Sequence, residues 1–414
     1  MMRKYEPRLA DNNLKKALEL FGAVLIEGPK WCGKTTTAKQ MSKSVINFED
    51  EDKREQYIRA MDTLPSSLLE GDNPRLIDEW QIFPRIWDAI RFDVDQKSEE
   101  GLYILTGSTT VDESSIIHSG AGRIKRMEMG TMSLYEYGDS TCEVSLLDDM
   151  FGGKEIKGKS RIDVRKMAEI LVRGGWPKTM GYDLADAQEY VGSYCETLLE
   201  SEISTVDGKK RNKNTMEKIM KSLSRNIATS VSDVKIANDV PGSIHVNTVR
   251  DYVKALRKLH VVEDLPAWSM HLRSKATVRA SDKRHFCDPA IATYFLGASP
   301  KDLINDLKTY GFLFESLAVR DLRAYARSVG GKVYHYRDSD DLEVDIIIHL
   351  RDGRWGAIEV KLGNTEIEKG ASNLLKLKEK AMEPPAFCAV ITCTEFAYRR
   401  KDGVYVVPLG CLKP

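Results

Sequence analysis

The chain has 414 residues, 42% of them hydrophobic, and its 62 Lys/Arg are matched by 62 Asp/Glu. That length exceeds one core and predicts about three domains, while zero net charge excludes a molecule drawn to nucleic acid by its overall field. The 7 cysteines form no Cys-x-x-Cys pair, which argues against a zinc ribbon or a disulfide framework and for reduced thiols in a cytoplasmic protein.

No apolar run approaches the roughly 18 residues of a membrane span. The start, MMRKYEPRLADNN, lacks the apolar core of a signal peptide. No membrane partner is expected.

FGAVLIEGPKWCGKTTTAKQ is an apolar run, a glycine loop and a helical stretch. A strand is expected at Ala23 to Ile26. The loop matches G-x-x-x-x-G-K-[ST], so Gly28, Pro29, Lys30, Trp31, Cys32, Gly33, Lys34, Thr35 and Thr36 are expected to cradle a nucleotide. The glycines let backbone N–H groups turn toward phosphate. Lys34 can reach the β- and γ-phosphates, and Thr35 can hold magnesium. The positive N-terminus of the next helix adds to this.

RLIDEW places Asp78 at a strand end, where it can share the metal with Thr35, and Glu79 beside it as a base for the attacking water. GLYILTGST reads as another buried parallel strand, with Ser108 at its C-terminal edge to sense the γ-phosphate. Strands alternating with helical segments predict a parallel sheet covered on both faces, with ligands at the strand C-terminal ends. ATP and magnesium are the expected cofactors.

Together GPKWCGKT, LIDEW, LTGST and SGAGRIKRMEMGTMSLYEY resemble the AAA+ ATPases. More narrowly, they resemble prokaryotic AAA+ proteins fused to a conserved C-terminal domain of unknown function, and the resemblance covers nearly all of the chain. It implies an arginine that reaches into a neighbouring subunit's site, hence a homo-oligomer. Arg123 is the matching position and Arg126 a weaker competitor. No clear second sensor arginine stands in a lid; Arg173 in LVRGGWPK is a candidate.

In the middle, MAEILVRGGWPKTM predicts a helix stopped by Gly-Gly and Pro177. The resembled family carries a GG-aromatic-P element here, filled by Trp176. Helical stretches follow at about Asp186 to Glu202 and Met216 to Ile227. From Asp207 to His260 there are 12 Lys/Arg and 5 Asp/Glu, a local charge of 12 − 5 = +7.

Within that stretch a helix carrying Val234, Ile236 and Ala237 precedes a Pro-Gly turn. A second helix starts near Asn247, capped by it or by Thr248, with Val249, Val253, Leu256 and Leu259 as its apolar stripe. The strand of HVVEDLPAW follows. Helix–turn–helix then strand is the winged-helix pattern, which the resembled family has at this place. Arg250, Lys254, Arg257 and Lys258 would face DNA.

FLFESLAVRDLRAYARSVG is an amphipathic helix with Glu315 close to its apolar stripe of Phe312, Leu313, Leu317, Leu322 and Tyr325. KVYHYRD is a strand. EVDIIIHLRDGRWGAIEVK is a β-hairpin with Asp345, Glu359 and Lys361 on its apolar runs. This D…E-x-K set resembles the core of the PD-(D/E)xK nuclease fold, and Glu315 matches the helical glutamate of the archaeal Holliday-junction resolvases. The resemblance implies a metal on Asp345 and Glu359, with Glu315 as a further ligand, and Lys361 orienting the activated water.

Hairpin geometry supplies a test. A two-residue loop, Asp352-Gly353, would pair Asp345 with Val360. A three-residue loop ending in a left-handed Gly353 would pair it with Glu359, as a shared site requires.

The expected fold class is α/β, with a P-loop parallel-sheet domain first, a helical winged-helix middle and an α/β domain at the end. An AAA+-like P-loop domain spans residues 1–145, a helical lid or linker 146–205, a winged-helix domain 206–275 and a restriction-endonuclease-like domain 276–414. The catalytic set is Glu79, Arg123, Glu315, Asp345, Glu359 and Lys361, and the metal ligands are Thr35, Asp78, Asp345 and Glu359. The expected function is an ATP-hydrolysing ATPase coupled to a DNA-binding, magnesium-dependent nuclease module. The alternative is a nucleotide-dependent regulatory or protein-binding switch on a dead nuclease-like scaffold. ATP is the expected partner, and DNA and a second copy of the chain stay open.

Overall fold

The computed structural model describes residues 5–109, 118–202, 209–240, 242, 244–270 and 281–414. Pro241 of the expected Pro-Gly turn lies outside them. The chain divides into two compact units. One is built on Met1–Thr131, with which Glu202–Lys210 and Ala255–Val261 are grouped. The other is built on Met132–Ser201, Arg211–Lys254 and Val262–Pro414.

The first unit is a five-stranded sheet of β1 (Ala23–Glu27), β2 (Ser44–Asn47), β3 (Arg75–Asp78), β4 (Tyr103–Gly107) and β5 (Ile124–Glu128). Its order is β2-β3-β4-β1-β5 and every pairing is parallel. Parallel strands need crossovers that cover the sheet, so such strands are apolar on both faces. Alternate residues bear this out. Ala23, Leu25, Ile77, Tyr103 and Leu105 face one core with Phe48, Tyr57, Trp80 and Trp87. Val24, Ile26, Leu76 and Ile104 face the other with Leu14 and Ala38. Each buried Val, Leu, Ile or Phe among them contributes about 1.5–3 kcal/mol.

The second unit contains two short strands, β6 (Val144–Ser145) and β7 (Gly158–Lys159), and then the helices Val164–Arg173 and Leu184–Thr197. Asp163 and Asp183 cap these helices through their carboxylates. The first helix stops at Gly174, which has a φ of 73°. A Cβ on Gly175 would lie 2.3 Å from the Met132 carbonyl oxygen, so only glycine fits. Trp176 is fully buried against Tyr194.

Helices Lys213–Arg225, Asp233–Asp239 and Val246–Lys258 come next, followed by an antiparallel pair, β8 (Val262–Leu265) and β9 (Lys283–Phe286). The last of these helices begins one residue earlier than the sequence indicates. The ring Nδ1 of His245 accepts from the Asn247 N–H at 3.2 Å, so His245 takes the role expected of Asn247 or Thr248.

The chain closes with β10 (Lys332–Arg337), β11 (Glu343–His349), β12 (Trp355–Lys361), β13 (Phe387–Thr392), β14 (Phe396–Arg399), β15 (Tyr405–Pro408) and β16 (Leu412–Lys413). They build a seven-stranded mixed sheet of order β10-β11-β12-β13-β15-β14-β7, while β16 pairs with β6. Two segments distant in sequence, 144–145 and 158–159, therefore complete the C-terminal architecture. The helix Leu307–Ser328 lies against β10, β11 and β12. The helix Ile367–Lys380 packs Ile367, Ala371, Leu374 and Leu377 onto Ala357, Val390 and Val406.

No described helix is long and apolar enough to cross a membrane. All seven cysteines are free, six of them buried.

Candidate functional site

The loop after β1 is shaped by contacts that only its own residue types allow. A Cβ on Gly28 would lie 1.9 Å from the Met129 carbonyl oxygen. Gly33 has a φ of 105° and starts the helix Lys34–Lys39. Trp31 also takes a positive φ, 65°, a strained choice for a bulky residue. Cys32 is buried, with its thiol toward the Met129 carbonyl at 3.4 Å. Arg8 braces the loop from outside, donating to the Cys32 and Gly130 carbonyls at 2.7 and 2.9 Å. Lys34 is buried, and its ammonium donates to the Gly28 and Pro29 carbonyls at 3.0 and 2.9 Å. It is thus folded back onto the loop it would share with a phosphate.

The strand order brings the partners to the same edge. β4 lies between β1 and β3, so the ends of all three meet. Thr35 donates its hydroxyl to Asp78 Oδ1 at 2.8 Å, and Thr106 at the end of β4 donates to the same oxygen. A hydroxyl and a carboxylate oxygen in contact, beside a loop of backbone N–H groups, fit magnesium. That ion keeps waters and phosphate oxygens and takes only one or two protein ligands.

Glu79 sits next to Asp78 in the left-handed region, φ 53° and ψ 48°, an uncommon conformation for a non-glycine residue and one that clusters at functional sites. Its Oε2 accepts from the Gln81 amide and, at 3.3 Å, from Ser108. Burial holds its pKa above the usual glutamate range, against the Gln81 hydrogen bond and the Lys34 charge. Arg123 pairs with Asp95 at 2.7 Å and is half exposed. Arg126 pairs with Glu27 at 3.1 Å and lies over the Trp87 ring. In the other unit Arg173 pairs with Asp139 at 2.5 Å and stacks on Tyr137.

The hairpin adopts the three-residue loop. Leu350 N–H reaches the Arg354 carbonyl at 2.8 Å, and Gly353 has a φ of 90°. Ile346 pairs with Ile358 and Ile347 with Ala357; one step further, the same register sets Asp345 opposite Glu359. Asp345 Oδ2 accepts from the Val360 N–H at 2.9 Å and from Lys361 at 3.2 Å. Lys361 also pairs with Glu359 at 2.5 Å, and Asn373 donates to the other Glu359 oxygen at 3.4 Å.

A second lysine enters this cluster without any signal in the sequence pattern. Lys283 on β9 places its ammonium 2.9 Å from Glu315, 2.7 Å from Glu343 and 3.5 Å from Asp345. Burial, and next the Asp345 charge, push Glu315 up to about 7 and Glu359 up to about 8. Asp345 goes the other way. Burial would raise it, but Lys283, Lys361 and the Val360 N–H hold it below the usual range. Both lysines are held above theirs, the charges of their carboxylates overcoming burial.

At Asp345, Glu359 and Glu315, the carboxylates expected to hold a metal, the cationic contacts are the ammonium groups of Lys283 and Lys361. Lysine nitrogens bridge the carboxylates, and among the described residues no three His, Cys, Asp or Glu side chains are grouped so as to hold a metal ion.

Family models match three separate stretches of the chain. An AAA domain matches residues 21–138, the domain of unknown function DUF8612 matches 164–302, and the domain of unknown function DUF4143 matches 310–412. The N-terminal unit carries an AAA-like ATPase domain. Uncharacterized proteins of Mycobacterium tuberculosis and Mycobacterium bovis are each 24% identical to the chain over 364 residues, 87% of this chain and 75% of theirs. A Walker-type ATPase of Pyrococcus abyssi superposes with a TM-score of 0.41 at 11% identity, over 72% of this chain and 99% of its own.

Sequence reasoning missed Thr106, Gln81 and Lys283. Thr106 stands in the quoted LTGST, two residues before Ser108, and the strand end could have exposed it. Gln81 and Lys283 carry no motif.

Proposed function

We propose that the chain is a magnesium-dependent ATPase whose nucleotide state acts on the remainder of the same polypeptide, with the C-terminal cluster as an ionic scaffold. The observation that carries this reading is the meeting of Lys34, Thr35, Asp78, Glu79 and Ser108 at one edge of a parallel sheet. ATP phosphates would lie along Gly28 to Thr36, with Lys34 exchanging the Gly28 and Pro29 carbonyls for the β- and γ-phosphates. Thr35 and Asp78 would hold magnesium, which neutralises charge on the transferring phosphoryl group. Glu79 would orient and deprotonate the attacking water, and Ser108 at its side would sense the γ-phosphate. Arg123 would serve a neighbouring copy after leaving Asp95.

The test is ATP turnover by the full chain, with Lys34→Ala and excess chelator as the two controls. Turnover is expected in the wild type alone. Absence of turnover in the wild type at any DNA or protein concentration would end the proposal.

A nucleic-acid partner is supported by a separate observation. Arg250, Lys254 and Arg257 are exposed on one helix, and that helix precedes an antiparallel strand pair as in a winged-helix module. Duplex binding that weakens with salt, and is reduced in Lys254→Glu/Arg257→Glu, is the expected result. Equal binding by that variant would remove DNA from the reading. The cutting alternative is tested with linear, branched and single-stranded DNA in magnesium. No cleavage is expected, and cleavage lost in Asp345→Ala would replace the scaffold.

A further inference from the structure

Lys283 is 3% exposed. Burying an ammonium is costly unless it is paired and fully hydrogen-bonded. Here three donors meet three carboxylates, Glu315, Glu343 and Asp345, at 2.9, 2.7 and 3.5 Å, which uses the whole donor capacity of a lysine. These carboxylates come from two elements: Glu315 from the helix Leu307–Ser328, and Glu343 and Asp345 from the first three residues of β11. Two residues on, His285 is buried with Nδ1 3.1 Å from the Ser316 hydroxyl, so the strand that delivers Lys283 is fixed beside Glu315.

A divalent ion would want carboxylate oxygens converging at about 2.0–2.6 Å. In this cluster the oxygens converge on nitrogen. An ammonium and a metal cannot share that position, because like charges in a buried site repel strongly.

We infer that Lys283 is a built-in cation, occupying among Glu315, Glu343 and Asp345 the place that a divalent ion would take and making the C-terminal cluster independent of metal. The same contacts fasten β9 to β11 and to the helix Leu307–Ser328. The inference concerns the second unit alone and stands whether or not the chain hydrolyses ATP.

The experiment is Mn2+ binding to the nucleotide-free full chain, read by electron paramagnetic resonance. Wild type and Asp345→Asn are expected to bind the same amount. A bound ion present in wild type and absent in Asp345→Asn would overturn the inference. Lys283→Met is expected to gain about one Mn2+ per chain and to melt at a higher temperature when Mn2+ is added, both effects being lost in Lys283→Met/Asp345→Asn. A folded Lys283→Met that gains no ion would also overturn it. Should Lys283→Met fail to fold with or without Mn2+, the comparison of wild type with Asp345→Asn decides alone.

Discussion

The hydroxyl of Thr35 donates to Asp78 Oδ1 across 2.8 Å, joining the first turn of the helix Lys34–Lys39 to the end of β3. The two oxygens lie one bridging ion apart, so little rearrangement is needed for both to hold magnesium. Asp78→Asn keeps a hydrogen-bonding side chain for Thr35 and Thr106 but loses the negative charge. The expected outcome is a folded protein that binds ATP yet turns it over at least about a hundred-fold more slowly, since the metal's charge stabilisation is worth several kcal/mol. A magnesium titration of turnover checks this. An unchanged magnesium dependence in Asp78→Asn would exclude Asp78 as a ligand.

Glu79 is held by Gln81 and Ser108 with its pKa above the usual glutamate range, burial being the larger cause and the Gln81 hydrogen bond opposing it. A base works when deprotonated, so turnover should rise with pH through a value above that of a free glutamate. Glu79→Gln is expected to keep ATP binding and lose about 10²–10⁴-fold in turnover. Gln81→Ala removes the opposing hydrogen bond, so its rising limb should shift further up in pH. A limb that stays in place would separate Gln81 from the base.

These two sites differ in how far the sequence reveals them. The loop from Gly28 to Thr36 is legible because phosphate binding needs fixed residue types at fixed spacing, and the apolar runs around it mark a sheet buried on both faces. The hairpin is legible to the level of its register, since a left-handed Gly353 in a three-residue loop has one pairing consequence. Lys283 is illegible. It lies 32 residues before Glu315 and 62 before Asp345, and nothing local distinguishes it from a surface lysine until tertiary folding buries it. The same holds for β6 and β7, two residues each, which exist as strands only because β16 and β14 are there to pair with them.

Arg320 shows how such tertiary burial governs stability. Its guanidinium is buried and pairs with Asp288 at 2.9 Å and Asp321 at 2.8 Å. These carboxylates in turn accept from the Gly175 and Leu134 N–H groups, each at 2.9 Å. Removing the arginine leaves two buried acids without their cation. Arg320→Ala should lower unfolding free energy in urea by about 3–5 kcal/mol. Arg399, exposed and paired with Glu155 at 3.1 Å, is the comparison, and Arg399→Ala should cost less than about 1 kcal/mol. Similar losses for both would mean that the buried network is not what holds this region.

His335 gives the second unit a defined response to acid. It is buried, with Nε2 3.2 Å from the Ser281 carbonyl, and its Nδ1 has no partner among the described residues. Burial, and then the charge of Lys283, push its pKa down to about 4, with Arg337 acting the same way and Glu343 and the Ser281 carbonyl opposing. The folded value lies below the unfolded one of about 6.5, so its contribution to stability is complete above about 6.5 and is lost as pH falls through 4. At full protonation the loss is on the order of 3 kcal/mol. Glu315 and Glu359 act with the opposite sign. Raised to about 7 and about 8, they favour the fold below their unfolded values, and that favour is lost as pH rises through 7 and 8. Comparing wild type with His335→Gln cancels the glutamate contribution, because only the histidine is changed and the glutamine amide can still donate to Ser281. Urea midpoints between pH 4 and 7 should fall more steeply toward acid in the wild type than in His335→Gln. Parallel slopes would show that His335 does not titrate in the folded protein's acid transition.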